Sequence, residues 1–219
     1  MKRTVNVTGE GRLNLPPDTV EFSLNINATD KNYDRAVEIS AEKLERLAEA
    51  VKPLGFAKED LKSSNYNIYP EYDSVRDPET GNYSNVFKGF RVNHSVMISF
   101  QFDKNLLSDM ISAIASSVSE PDLHIAFTLK NREEAAKELL RLAVENAYEK
   151  AQVLAAAAGV KIDRVVYIDA AQNRSGFYST TSMDNAAVGL CKMARGGSVE
   201  MAPQDVNLSE TVRVIYEIG

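Results

Sequence analysis

The longest helical pattern of the chain, residues 131–159, limits what the sequence can fold into more than any other stretch. Small and apolar residues recur in it at steps of three and four, which places them along one side of a helix with about 3.6 residues per turn. The residues on this side are Ala136, Leu140, Ala143, Ala147, Ala151, Leu154 and Ala158. Because most of them are alanine, the helix can approach its neighbour closely. The pattern therefore predicts a long helix that packs on a β-sheet or on another helix.

Both ends of this helix also carry sequence signals. Asn131 and Glu134 have the spacing of a capping box, in which each side chain hydrogen-bonds to the backbone of the other residue. Gly159 can adopt the left-handed conformation that commonly ends a helix. We therefore expect the helix to begin after Asn131 and to end at Gly159.

Alternation of apolar and polar residues predicts β-strands in much of the remaining chain. The predicted strands cover residues 4–8, 19–29, 66–72, 92–102, 123–129, 165–168 and 212–218. The segment Gly9-Glu10-Gly11 is expected to interrupt the first strand as a bulge or tight turn. Two shorter helices are expected after Asp30 and Asp103, whose carboxylates can cap a first turn.

Antiparallel strands with helices inserted between some of them indicate an α+β fold, in which helices cover one face of mainly antiparallel sheets. We predict two subdomains of two layers each. One is an inserted strand-strand-helix-strand-helix unit of residues 64–159, and the other is a discontinuous α+β unit of residues 1–63 and 160–219. The long helix would then connect the two subdomains.

The composition argues against several classes of partner. The chain has 219 residues, of which 44% are hydrophobic and 26% charged, and its net charge is −6. A negative chain is not attracted to phosphate backbones or anionic membranes, so we expect no nucleic-acid partner. No apolar run is long enough for a membrane span, and the first residues do not resemble a signal peptide. The sequence as written predicts a cytoplasmic protein, whereas a start trimmed from a longer chain would predict a periplasmic or secreted one.

Residues that usually bind metals or act in catalysis are scarce. Cys191 is the only cysteine, so the chain can form neither an internal disulfide nor a cysteine-based zinc site. His94 lies on the apolar face of its predicted strand and is expected to be buried, whereas His124 is expected to be exposed. No Ser, His and Asp stand at a recognisable catalytic spacing. We therefore predict no metal, no cofactor and no catalytic residues.

Two stretches are suited to protein contacts. One is the second predicted hairpin, around Tyr72 to Phe90, where aromatic residues gather among acidic neighbours, and the other is the irregular, glycine-containing segment 173–200. The candidate binding or oligomer-contact residues are Tyr72, Tyr83, Phe87, Phe90, Phe177, Tyr178, Cys191 and Arg195. These residues predict contacts with further copies of the chain or with a protein partner.

The segment 173–200 also leaves a second interpretation open. Cys191 lies beside Lys192 and near Arg195, and cations close to a thiol favour its reactive thiolate form. A redox-active or hydrolytic protein with its site on this segment is therefore the alternative. An incidental thiol, or one buried at a subunit contact, would fit the same residues.

A set of short motifs extends over nearly the whole chain in a fixed order. The motifs are Val-Thr-Gly-Glu-Gly at 7–11, Pro-Asp at 17–18, Leu-Gly-Phe at 54–56, Asp-Leu at 60–61, the alternating run 66–72, Lys-Gly-Phe at 88–90 and the alanine-rich helix that ends at Gly159. In this order and spacing they resemble the SIMPL-domain family, which includes bacterial proteins linked to oxidative-stress defence and a periplasmic immunogenic antigen of pathogens. The resemblance implies a two-part α+β fold and ring-like homo-oligomers, and it implies no reaction because it carries over no catalytic residues.

These observations together predict a non-enzymatic member of that family. We expect an oligomeric binding or scaffold protein associated with stress defence, with contacts made by the second hairpin and by the segment 173–200.

Overall fold

The computed structural model describes residues 3–76, 82–117, 121–170, 176–184 and 202–219. In these ranges the strands are β1 (Thr4–Leu15), β2 (Thr19–Asp30), β3 (Lys62–Arg76), β4 (Tyr83–Gln101), β5 (Asp122–Thr128), β6 (Ile162–Ala170), β7 (Tyr178–Asp184) and β8 (Val206–Ile218). The helices are α1 (Tyr33–Val51), α2 (Lys104–Ser116) and α3 (Arg132–Ala157), with short 3-10 helices at Lys52–Leu54 and Lys58–Asp60. The strands form antiparallel sheets with helices packed on them, which confirms the predicted α+β class.

The chain divides into two compact units. The first unit combines residues 1–18, 127–180 and 203–219, and the second combines residues 19–126 and 181–202. These boundaries differ from the predicted subdomains 64–159 and 1–63 with 160–219. The difference arises because β2 pairs with β4 along its whole length, from Thr19 opposite Gln101 to Asp30 opposite Phe90. This pairing places β2, and α1 that packs on it, with the second hairpin.

The first unit is a three-stranded sheet, in the order β1-β8-β6, that is covered by α3. β1 pairs with β8 without interruption, from Thr4 opposite Glu217 to Leu15 opposite Val206. Its core joins apolar side chains of the sheet to alanines of the helix. The buried residues of this core are Val7, Ala143, Ala147, Ala151, Val212, Val214 and Tyr216.

The glycines of β1 are not the interruption that the sequence predicted. β1 continues without a break through Gly9 and Gly11. At these two positions the backbone of α3 lies against the strand. A Cβ atom on Gly9 would lie 2.0 Å from the carbonyl oxygen of Ala143, and one on Gly11 would lie 2.1 Å from that of Leu139. Only glycine leaves room for such contacts, so both glycines serve helix packing rather than a turn.

The alanine stripe of α3 is confirmed at its centre and wrong at its ends. The buried residues are Ala135, Leu139, Ala143, Ala147, Ala151 and Ala155, each four residues from the next. The predicted Leu140 and Leu154 are 39% and 50% exposed. A four-residue step advances about 40° beyond a full turn, so the buried stripe winds slowly round the helix as it follows the twisted sheet.

The start of α3 also differs from the prediction, whereas its end agrees with it. The side chain of Asn131 accepts no capping hydrogen bond, and its Nδ2 atom instead donates to Glu134 Oε2 at 3.4 Å, so the capping box is not formed. Gly159 follows the helix with a φ of 69°, in the left-handed region that the sequence predicted.

Most residues of the five-stranded sheet, in the order β3-β4-β2-β5-β7, belong to the second unit. The predicted apolar face of β2 is buried, and α1 packs on β2 and β4. Asp103 caps α2 as expected, through a hydrogen bond from the backbone N–H of Leu106. Asp30 does not cap α1: Asn32 takes that role, accepting from the N–H of Asp34, while Asp30 accepts from the N–H of Asn32. Two acceptors in succession therefore build the turn into α1.

The strand β7 was not predicted, because it lies in the segment expected to be irregular. Its sequence Tyr-Ser-Thr-Thr-Ser-Met-Asp lacks an apolar alternation. Polar contacts hold its start: Ser179 is buried and donates a hydrogen bond to the carbonyl oxygen of Gln204 at 2.6 Å. In the portions of the chain with described structure, no helix is long and apolar enough to cross a membrane.

Candidate functional site

The second hairpin extends beyond the sheet that supports it. β2 pairs with β4 only as far as Phe90, whereas the pairing of β3 with β4 continues to Arg76 opposite Tyr83. We call residues 71–76 and 83–89, which form this two-stranded extension, the aromatic ribbon. A two-stranded hairpin without a third strand or a covering helix is marginally stable in water. The ribbon is therefore the part of the second unit that gains most from a partner.

A row of aromatic rings runs along the ribbon. Tyr72 packs edge-to-face on Phe87 with ring centres 5.7 Å apart, and Phe87 packs on Phe90 at 5.3 Å. Tyr33, at the start of α1, continues the row against Phe90 at 5.5 Å. The row is largely uncovered, since Tyr72 is 55% exposed, Phe87 is 42% exposed and Tyr83, where the described part of β4 starts, is 71% exposed. Exposed aromatic rings that are held in place by one another are typical of protein-contact surfaces.

Ion pairs hold the base of the ribbon. Arg91 binds Glu71 with two hydrogen bonds, Nη2 to Oε1 at 2.6 Å and Nε to Oε2 at 3.1 Å, and the bonded carboxylate raises the pKa of Arg91. Lys88 lies 3.3 Å from Asp73 and 3.9 Å from Glu71. A two-point arginine–carboxylate pair fixes both side chains in one geometry, so the ribbon is oriented where it leaves the sheet.

Gly89 marks the same point in the backbone. A Cβ atom there would lie 2.6 Å from the carbonyl oxygen of Asp30, the last residue of β2. The glycine of the Lys-Gly-Phe motif therefore allows β4 to pass close to the end of β2 before it continues into the ribbon.

Four of the predicted contact residues lie together on this surface, namely Tyr72, Tyr83, Phe87 and Phe90. The sequence interpretation did not include Tyr33, because its position also fits the apolar side of α1. Its contact with Phe90 depends on strand register, since Asp30, three residues before Tyr33, pairs with Phe90.

Phe177 and Tyr178 belong to the first unit. Phe177 packs against the apolar cluster that includes Leu129 and Leu139. Tyr178 is 43% exposed, and the guanidinium of Arg132 lies 4.9 Å from the centre of its ring, in a cation–π contact. Both residues are therefore engaged in packing within their unit. The other two predicted residues, Cys191 and Arg195, lie outside the described residues.

The first unit also has an open cleft of about 430 Å³ beside the start of α3. Apolar residues of β1 and α3 line it, with Glu134 and Glu138 at its rim. Asp18, of the Pro-Asp motif, lines the cleft as well, but its carboxylate accepts the N–H of Lys130 at 2.7 Å and its own N–H donates to the carbonyl of Thr128. Asp18 thus ties the end of β1 to the chain entering α3.

His94 is buried as predicted, and the structure shows what satisfies it. Its ring is 7% exposed, its Nε2 lies 2.7 Å from the hydroxyl of Ser63, and Tyr66 packs edge-on at 4.9 Å. Burial lowers the pKa of His94. Ser63 could not be predicted from the sequence pattern, because a register shift in β3 follows it on the strand that pairs with β4.

The other histidine, His124, is exposed as predicted and lies 2.9 Å from Asp184. Over the ranges that the structure covers, no group of three or more His, Cys, Asp or Glu residues is placed to hold a metal ion.

The buried His94 predicts a pH dependence of stability. Because its pKa is lowered in the folded protein, the unfolded chain binds the proton more readily, and stability should fall as the pH drops below the ordinary histidine value of 6.5. The free energy of unfolding can be measured with denaturant at pH 7.5 and at pH values below about 6. We expect it to fall less over this interval in the His94→Gln variant than in the parent. His124→Gln is the matched control. If the two variants lost equal amounts of stability over this pH interval, the pH dependence could not be assigned to His94.

Comparison with known proteins places this chain in a family. The model of the SIMPL family, described as a protein of unknown function (DUF541), matches residues 5–216. The chain belongs to the SIMPL family.

Its relatives include two bacterial antigens. A "26 kDa periplasmic immunogenic protein" of Brucella melitensis is 28% identical over 165 residues, and its Brucella abortus counterpart is 27% identical. These alignments cover 75% of this chain and 65% of each Brucella protein. The "Uncharacterized protein YggE" of Edwardsiella ictaluri is 22% identical over 98% of this chain and 87% of its own length.

Several of the motif residues that carry the family resemblance have structural roles. Gly9 and Gly11 leave room for the backbone of α3, and Gly89 leaves room for the end of β2. Asp18 accepts a hydrogen bond from Lys130, just before α3. Gly9, Gly11, Asp18 and Gly89 therefore have structural roles in the fold.

Proposed function

We propose that this protein is a non-enzymatic, oligomeric binding or scaffold protein whose contacts are made through the aromatic ribbon. One observation carries the proposal: a two-stranded extension of the sheet presents a row of exposed, mutually packed aromatic rings. Aromatic side chains are enriched at the centres of protein interfaces, where they contribute much of the binding energy. A partner that packs on the row would supply the covering layer that the ribbon lacks.

A ring-like assembly of identical chains is the form of oligomer that we propose. If the ribbon of one copy binds a different surface of the next copy, the contact is head-to-tail, and such contacts close into rings when the rotation between copies allows it. The resemblance to the SIMPL family supports this form.

The proposal also covers location and biological role. The Brucella relatives are named periplasmic proteins, and these names support a periplasmic location rather than the cytoplasmic one expected from the first residues. An association with stress defence is part of the proposal and rests on the family resemblance. The alternative is a redox-active or hydrolytic site around Cys191, a residue that lies outside the described ranges.

Light scattering of the purified chain tests the proposed assembly. One chain has a mass of 24.2 kDa, and we expect a particle several times heavier that dissociates on dilution. A mass of one chain at every concentration, with the protein folded by circular dichroism, would refute the oligomer. Electron microscopy of the heavier particle then distinguishes a ring from an open chain of copies.

A further inference from the structure

A second exposed apolar surface lies on β6, in the first unit. In the described part of the chain β6 lies at an edge of its sheet. Its central residues are all apolar and half exposed: Val165, Val166, Tyr167 and Ile168 are between 48% and 52% exposed. Edge strands usually carry charged residues or proline at the centre, which discourage pairing with another strand. An apolar centre on an edge strand instead indicates a strand that is covered in the assembled protein.

With respect to the described residues, the backbone of β6 has bonding groups available at this edge. Lys161 and Gly219 exchange two hydrogen bonds, while the N–H of Ile218 donates to Arg3, away from β6. Successive residues of an antiparallel strand point their backbone N–H and C=O groups alternately to its two sides. On β8, Glu217, Ile215 and Arg213 therefore point these groups at β6, and the β6 residues opposite them point theirs at β8. The intervening residues Val165 and Ile168 therefore point theirs at the open edge.

The side chains of β6 are complementary to a second copy of β6. In an antiparallel pair centred between Val166 and Tyr167, Val165 faces Ile168 of the other copy, and Arg164 faces Asp169 of the other copy. Arg164 and Asp169 lie on one face of the sheet, since they pair with Glu217 and Arg213, which are four residues apart on β8. The two-fold pair thus places apolar residues at its centre and an arginine–aspartate pair at each end.

The bulges of β6 favour a second copy over an arbitrary extended peptide. Register shifts occur between Ile162 and Arg164 and between Val165 and Tyr167, so the outward-pointing Val165 and Ile168 stand three residues apart. A regular strand presents bonding groups every second residue and would fall out of step. A second β6 has the same three-residue spacing and matches it.

We propose that β6 is a two-fold subunit interface, in which the β6 strands of two copies pair antiparallel and join two three-stranded sheets into one six-stranded sheet. This interface is independent of the aromatic ribbon and goes beyond the function proposed for it. A protein with one two-fold contact and one head-to-tail contact per chain can build closed particles larger than a single ring.

Disulfide trapping tests both the interface and its register. In a Cys191→Ser background, one preparation carries Val165→Cys and another carries Ile168→Cys, and the two are mixed under reducing conditions and then oxidised gently. Directly opposed residues of an antiparallel pair lie at a distance that suits a disulfide, so the mixture should yield at least about fivefold more linked dimer than either preparation alone. Equal yields in all three samples would overturn the proposal, as would the absence of linked dimer.

A second pair of variants keeps the test valid if one of the first pair fails to fold. Arg164→Cys mixed with Asp169→Cys probes the same register at two exposed positions, and melting curves identify variants that fold like the parent. Repeating the trapping with Tyr72→Ser and Phe87→Ser also present separates the two interfaces. Linked dimer should persist in that background, and its loss would overturn the independence of the β6 contact.

Discussion

Replacing Gly9 with alanine should lower the stability of the first unit by about 3 kcal/mol, which corresponds to a fall in melting temperature of about 6 to 12 °C. The new methyl group would lie 2.0 Å from the carbonyl oxygen of Ala143 and 2.5 Å from the backbone nitrogen of Ala147. These neighbours are helix backbone and cannot rotate away, so α3 as a whole has to move off the sheet. Thermal melting followed by circular dichroism measures the effect.

Thr8→Ala is the matched control for this substitution. Thr8 is the preceding residue of the same strand, its side chain is exposed, and its backbone hydrogen bond to Lys150 Nζ does not depend on the side chain. We expect a change of about 0.5 kcal/mol or less for this variant. Equal melting temperatures for Gly9→Ala and the parent would mean that α3 does not lie against β1 as described.

The double substitution Tyr72→Ser and Phe87→Ser should dissociate the ribbon-mediated assembly. Aromatic residues at the centre of an interface commonly contribute about 2 kcal/mol each, so the loss of two should weaken association by roughly two to three orders of magnitude. The rings pack on each other and are 55% and 42% exposed, so the monomer loses little of its own core. Light scattering over a dilution series gives the dissociation constant.

Val153→Ser is the control for this loss of exposed apolar surface. Val153 is 70% exposed on α3, and valine and serine have similar helix propensities, so the change alters the polarity of an exposed position that is not part of the ribbon. This variant should assemble like the parent. Assembly of the Tyr72 and Phe87 double variant at parental strength would exclude the ribbon as the contact.

The sequence was sufficient to predict the α+β class and the centre of the long helix, because both depend on local periodicity. It was not sufficient to predict the roles of Gly9 and Gly11. A glycine that allows another segment's backbone to pack closely looks the same in the sequence as a glycine that forms a turn. The ends of the α3 stripe at Leu140 and Leu154 were mispredicted for a related reason. The sheet beneath the helix twists, and its twist sets which residues of the helix face it.

The candidate site was predictable in part. Tyr72, Tyr83, Phe87 and Phe90 could be found because aromatic residues in a turn-rich, acidic stretch are conspicuous in the sequence. That they lie on an unsupported ribbon follows from the point where β2 ends, which depends on strand register rather than on composition. The β6 surface was not predicted, because a short apolar strand has the same pattern whether it is buried or exposed.

The order of strands in the first unit has a consequence for biosynthesis. β8 is the central strand, and within the described sheet β1 has no other strand partner. During translation β1 is therefore made first but stays without its neighbour until β8 emerges, whereas β2, β3 and β4 can pair as soon as they are complete. Of the strands in this described sheet, the glycine-containing β1 therefore waits longest for its partner during synthesis.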